Sequence, residues 1–195
     1  MLRQVRHRIV KLIAPKVFLG HQIHKQVVQR PMIKFLEKRN GKGLIGAEIG
    51  VSDGFNAKRI LSSLDVKTLY LVDPYLKYID GDGRKADCGA KKQLAEKRLK
   101  PFENKTVFIH KLSSEAVDLL PDNLDFVYID ANHNYEYVKA DIAAYFKKVK
   151  SGGVLGGHDF FGKLQGVVWA VIEFAQKENL KLYSDVLDWW VIKPD

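Results

Sequence analysis

The chain has 195 residues, with 46% hydrophobic and 28% charged side chains, which suits one globular domain with a sizeable core. No apolar run approaches the roughly 18 residues of a membrane-spanning helix, the apolar runs near the N-terminus are too broken for a signal peptide, and the single cysteine, Cys88, excludes an internal disulfide framework. These features set the expectation of a cytoplasmic protein. The net charge of +9 is carried by residues 1–40, which hold ten Lys or Arg and one acid, Glu37; the remainder holds 22 of each sign. Such a segment fits either an anionic partner or a solvated helical face, and Val5, Ile9, Leu12 and Ile13 form a helical stripe. It carries no nucleic-acid motif, so a nucleic-acid partner is disfavoured, and a homodimer through these basic helices is an expectation.

Pro15, Gly20, Pro31 and "RNGKG" (39–43) divide the first forty residues into short helical pieces, read as a basic N-terminal segment, 1–42, ahead of a domain spanning 43–195. From there strands and helices alternate. "LIGAEIG" (44–50) predicts a first strand and "VSDGFNAKRILSSL" a turn into a helix. "TLYLVD" (68–73) predicts a second strand, a polar stretch runs to about Ala90, and "KKQLAEKRLKPF" predicts a charged helix. "TVFIH" (106–110) is a third strand and "SSEAVDLL" (113–120) a short helix. "LDFVYID" (124–130) is a fourth strand, with a helix from Tyr135 to Val149. "GGVLGGHDF" (152–160) is a fifth, a helix follows from about Gly166 to Glu178, and "LKLYSD" with "DWWVIKP" reads as a closing antiparallel pair. Short apolar strands alternating with helices predict a mostly parallel, seven-stranded α/β sheet covered on both faces. Ligands in such folds bind beyond the carboxyl ends of the strands.

Glu48, Gly50 and Gly54 follow the first strand as acid-x-Gly-x-x-x-Gly, which differs from the Gly-x-Gly-x-x-Gly spacing of dinucleotide sites. An acid there disfavours a pyrophosphate and favours a ligand bearing an ammonium group. Asp73, 23 residues after Gly50, stands where an acid takes ribose hydroxyls in nucleotide-binding sheets, though a capping or salt-bridged aspartate fits the same position. With these motifs the chain resembles the class I S-adenosylmethionine (SAM)-dependent methyltransferases over residues 43–193, antiparallel end included. The resemblance implies a Rossmann-like fold and SAM as cofactor. Glu48, Gly50 and Gly54 would lie against its methionine part and Asp73 would hold its ribose. By position in the family's pattern, Asn56 and Ser114 would help hold it.

At the other end of the sheet, Asp130 stands at the tip of strand four and His158 and Asp159 at the tip of strand five. If these strands are neighbours, the three side chains could converge on one divalent cation; carboxylate oxygens with one imidazole suit magnesium or manganese or, with more histidine character, iron or zinc. This arrangement is similar to the metal-dependent, catechol-type O-methyltransferases. That similarity implies a small-molecule hydroxyl as acceptor and His133 as general base, with Asp130 in the catalytic group. The chain departs from their pattern at His158, where an acid is usual, and at His133, where lysine is common.

Purely structural readings stand beside these: Asp130 and Asn134 as helix caps, His133 as a loop residue, Asp159 as a tie for the glycine turn. "DGDG" (80–83) fails as a calcium loop because Lys91 stands at its twelfth position, and His21 with His24 reads as a solvated helix face. Cys88 reads as incidental, and Trp169, Phe174, Trp189 and Trp190 as core or interface aromatics. Rival functions are a nucleic-acid methyltransferase and a non-catalytic domain binding a nucleoside or a protein partner.

Overall fold

A computed structural model describes residues 30–76 and 88–195. The stripe at Val5–Ile13, the His21/His24 pair and the "DGDG" loop lie outside the described residues. Helix α1 (Pro31–Lys38) leads into β1 (Leu44–Ile49), α2 (Phe55–Ser63), β2 (Val66–Val72) and α3 (Gly89–Leu99). A 3₁₀ turn (Lys100–Lys105) precedes β3 (Thr106–Ile109), and α4 (Ser113–Ala116) passes into a second 3₁₀ turn. Then come β4 (Leu124–Ile129), α5 (Tyr135–Lys148), β5 (Val149–Gly157), α6 (Gln165–Lys177), β6 (Tyr183–Asp185) and β7 (Asp188–Ile192).

The seven strands lie in the order β3-β2-β1-β4-β5-β7-β6, parallel except that β7 runs against both β5 and β6. Sequence order turns back between β1 and β4, which makes their shared end the crevice of the sheet. Strand alternation sorts the core into two layers. Phe126 and Tyr128 face one side with Met32, Ile33, Ile60 and Leu99, contributed by α1, α2 and α3. Val127 and Ile129 face the other with Ile142, Tyr145, Val168 and Val171 of α5 and α6. Trp189 and Trp190 divide between the two layers in the same way. Helix α1 is thus part of the core: Met32 and Ile33 are fully buried.

Two strands begin earlier than the apolar pattern indicates. Val66 pairs with Leu44 and Val149 with Leu124, each across a register shift that admits the exposed residues Lys67, Lys150 and Ser151. Beyond the last paired residues the ladder continues by single hydrogen bonds. Asp73 N–H donates to Ile109 (3.2 Å), Gly50 to Val72 (2.8 Å), Asp130 to Ile49 (2.8 Å) and His158 to Ile129 (3.0 Å). These bonds set the residues that bear on function in one row along the carboxyl edge.

Candidate active site

A cavity of about 930 Å³ opens along this row, lined by residues following β1, β2, β3 and β4 and by the first turns of α5. Its β1 end is shaped by backbone geometry. Gly50 has φ +89°, and a Cβ there would collide with the carbonyl oxygen of Asp130, so glycine lets the β1 and β4 tips touch. Gly54 has φ +74° and sets α2 against Ala95 and Leu99 of α3; it is not among the residues lining the cavity. Asp73 accepts from the N–H groups of Val51 (3.0 Å) and Ser52 (2.8 Å) through Oδ2, and from Tyr75 N–H (2.8 Å) through Oδ1. Asp73 therefore holds the glycine turn and lines the cavity at once.

Glu48 is 1% exposed. Its Oε1 accepts from Asn56 Nδ2 at 2.8 Å, while Glu48 Oε2 and Asn56 Oδ1 are buried without a partner among the described residues. Burial pushes the Glu48 carboxyl up to about 8, against the opposing hydrogen bond from Asn56. Two unfilled buried acceptors on a cavity wall are a fit for a ligand with a charged donor, as the ammonium group of SAM is. Ser114 lines the wall after β3, and Cys88 lines it too, buried, with its Sγ 2.9 Å from the carbonyl of Leu76.

The β4 end is built from polar, titratable side chains. Asp130 and His133 line the cavity. His133 Nε2 lies 2.8 Å from Asp159 Oδ2 and 3.8 Å from Asp130 Oδ1. His158, 7% exposed, faces the opposite oxygens: its Nδ1 is 3.0 Å from Asp159 Oδ1 and 3.9 Å from Asp130 Oδ2. The strand tips thus bring together Asp130, His133, His158 and Asp159, with two acids between two histidines. One ligand atom each from Asp130, His133 and Asp159 fall within 4.8 Å of one another. Two carboxylates and an imidazole at that separation suit a divalent cation. Asp159 reaches this position with φ +60°, a left-handed backbone that turns its carboxylate back toward β4. Neither acid caps a helix: Asn134 is the N-cap residue of α5 without a side-chain bond, and Asn132 Oδ1 accepts from Asn134 N–H.

Sequence reasoning missed Arg30. Its guanidinium stands 3.5 Å from Asp130 Oδ2 and 3.7 Å from Asp188 Oδ1, and its Nε and Nη1 are buried without a hydrogen-bond acceptor among the described residues. Asp188 is itself 1% exposed and accepts from Tyr128 Oη (2.8 Å) and from the N–H of Met32 (3.1 Å). Burial pushes its carboxyl up to about 7, with Arg30 opposing. In a segment with ten basic residues nothing in the sequence singled out Arg30; only the acids just after β4 and at the start of β7 do.

A family profile described as a methyltransferase domain matches residues 47–160, more than half of the chain. No curated protein matches. Among solved structures, the O-methyltransferase NovP superposes with a TM-score of 0.64 at 17% identity, over 84% of this chain and 76% of that one. The SAH-bound Podospora anserina methyltransferase PaMTH1 gives 0.63 at 10% identity, covering 84% and 76%. The N-methyltransferase NodS from Bradyrhizobium japonicum gives 0.57 at 15%, covering 84% and 93%. At these identities the superpositions speak for the fold, and the profile for the family. With the glycine turn, the strand order and the matched segment in agreement, the chain belongs to the class I SAM-dependent methyltransferases.

Proposed function

We propose that the chain methylates a hydroxyl oxygen of a small molecule, such as a sugar, a polyketide or a catechol-like compound, and that His133 takes the hydroxyl proton. The observation carrying this reading is the His133 imidazole on the cavity wall with its Nε2 2.8 Å from Asp159. SAM, when bound, supplies a methyl group activated by its sulfonium. Glu48 and Asn56 would receive the cofactor's ammonium group, Asp73 its ribose, and Ser114 the wall beyond. A hydroxyl is a weak nucleophile at neutral pH, and an imidazole held by a carboxylate relieves that weakness by removing the proton during attack. The cavity volume lies at the upper end of the range for ligand pockets, which supports room for cofactor and acceptor together.

A second reading rests on the 4.8 Å convergence of Asp130, His133 and Asp159. In it these three hold a divalent cation, which would lower the acceptor's pKa, and His133 acts as a ligand instead of the base. His158 then stands behind the acids and holds their outer oxygens.

The experiment is methyl transfer from radiolabelled SAM to a panel of hydroxylated acceptors, with chelator or added Mn²⁺. Turnover that survives chelation and is lost in His133→Ala supports the first reading. Turnover abolished by chelator and restored by Mn²⁺ supports the second. Methylation of amines or RNA, with none of hydroxyls, refutes the choice of acceptor.

A further inference from the structure

The acids of the cavity wall are answered in different ways. Asp141, in α5 and 5% exposed, takes a hydrogen bond from the Ser113 side chain. Around Asp130 and Asp159, every carboxylate oxygen faces a nitrogen instead. Asp130 Oδ1 faces His133 Nε2 (3.8 Å), and Asp130 Oδ2 faces both Arg30 Nη2 (3.5 Å) and His158 Nδ1 (3.9 Å). Asp159 Oδ2 faces His133 Nε2 (2.8 Å), and its Oδ1 faces His158 Nδ1 (3.0 Å). Arg30 is the fixed charge in this set. It is the N-cap residue of α1, so the burial of Met32 and Ile33 sets where its side chain starts, and that side chain lines the cavity at 15% exposed.

A divalent ion held by Asp130, His133 and Asp159 must disturb this arrangement twice. His133 Nε2 stands at hydrogen-bond distance from Asp159, so a proton lies between them, whereas an imidazole ligand offers its nitrogen bare. The ion must also share Asp130 with a guanidinium 3.5 Å from Oδ2, and two cations on one half-buried carboxylate repel each other. Arginine keeps its charge at any working pH and cannot relieve that repulsion by losing a proton. Swinging away is costly as well. Asp188, 1% exposed, holds the guanidinium from its far side at 3.7 Å and would be left buried without a counter-charge.

We infer that Arg30 is the built-in cation of this cluster: it supplies the positive charge that Asp130 needs and thereby keeps divalent ions out. The inference deepens the hydroxyl-methylating reading of the cavity, on which it rests for its bearing on catalysis, by choosing the form in which His133 is the base. Arg30 acts through Asp130 and is a positioning residue. A merely structural Arg30 would stabilise the fold without changing the cluster's affinity for a metal.

The test is titration of Mn²⁺ against the full chain at neutral pH, with free Mn²⁺ read by electron paramagnetic resonance. Arg30→Met should bind Mn²⁺ on the order of 10- to 100-fold more tightly than the wild type, while Arg30→Lys, which keeps the charge, should bind as weakly as the wild type. Arg30→Met combined with Asp188→Asn should show the same gain; it leaves no stranded acid at position 188 and decides the matter should Arg30→Met fail to fold. Adding Asp130→Asn to that pair should abolish the gain. A wild type that binds Mn²⁺ as tightly as these variants overturns the inference, as does an absence of gain in both, a gain in Arg30→Lys, or a gain that survives Asp130→Asn. Failure to methylate any hydroxyl refutes the choice of acceptor and leaves the Mn²⁺ titration unaffected, so the two failures are distinguishable.

Discussion

The two ends of the cavity are held together by different physics. At the β1–β2 end the groups are fixed by short-range backbone geometry: a glycine pressed on a neighbouring strand, and an aspartate bound to three N–H groups within 22 residues of it. At the β4–β5 end the groups are fixed by charges drawn from across the chain, with Arg30, Asp130, Asp159 and Asp188 balancing one another in a half-dry pocket. The first end is a mould set by backbone geometry. The second is an electrostatic balance that loses its form when one member is removed.

The largest expected effect breaks that balance directly. Arg30→Met strands Asp130 and Asp188 without their shared guanidinium and should lower stability by about 3 kcal/mol or more, measured by urea denaturation. A loss under about 0.5 kcal/mol would mean that the two acids do not depend on Arg30. Next, His133→Ala should cut turnover roughly 10²- to 10⁴-fold and leave S-adenosylhomocysteine affinity within about twofold. A matching fall in affinity would show that the two ends are not separable. Glu48→Gln should act at the other end alone, weakening the same ligand on the order of 10-fold by removing a charge-assisted partner.

The smallest effect sharpens the comparison through pH. The Glu48 carboxyl, about 8 in the fold against an ordinary 4.5, holds a proton that the unfolded chain has already released between those values. The folded state then binds more protons than the unfolded one, so this group's contribution to stability is fully present below about 4.5 and is lost as pH rises through about 8. The sign reverses for a ligand whose ammonium group faces Glu48, because it favours the ionised carboxylate: S-adenosylhomocysteine affinity should rise with pH toward 8. Glu48→Gln should flatten that rise; an unchanged pH profile in this variant would assign the proton to another group.

The same contrast explains what the sequence revealed. Glu48, Gly50 and Asp73 were legible as positions on the cavity wall because each sits at a fixed distance along the chain from a strand end, and apolar runs mark strand ends well; Gly54, read with them, packs α2 against α3 instead. Asp130, His158 and Asp159 were legible as strand-tip residues, and the parallel pairing of β4 with β5 brings them together. That His133 would lie against Asp159 goes with the left-handed backbone at Asp159, for which an aspartate outside a glycine pair gives little sign. Arg30 with Asp188 was illegible: 158 residues separate them, and neither lies in a motif. Asp141 reads in sequence as one more charged helix position, and only the fold turns it inward.

The position of Arg30 has a bearing on how this protein can be taken apart. The segment shared with other methyltransferases starts at residue 47, and the punctuation at "RNGKG" makes residue 43 the natural place for a cut. A fragment begun there keeps all seven strands but discards Met32 and Ile33 from the core and the guanidinium from between Asp130 and the buried Asp188. The portion that can be transplanted whole between chains therefore begins no later than Arg30, and a graft cut at the inherited boundary would carry the candidate site across with a counter-ion left behind.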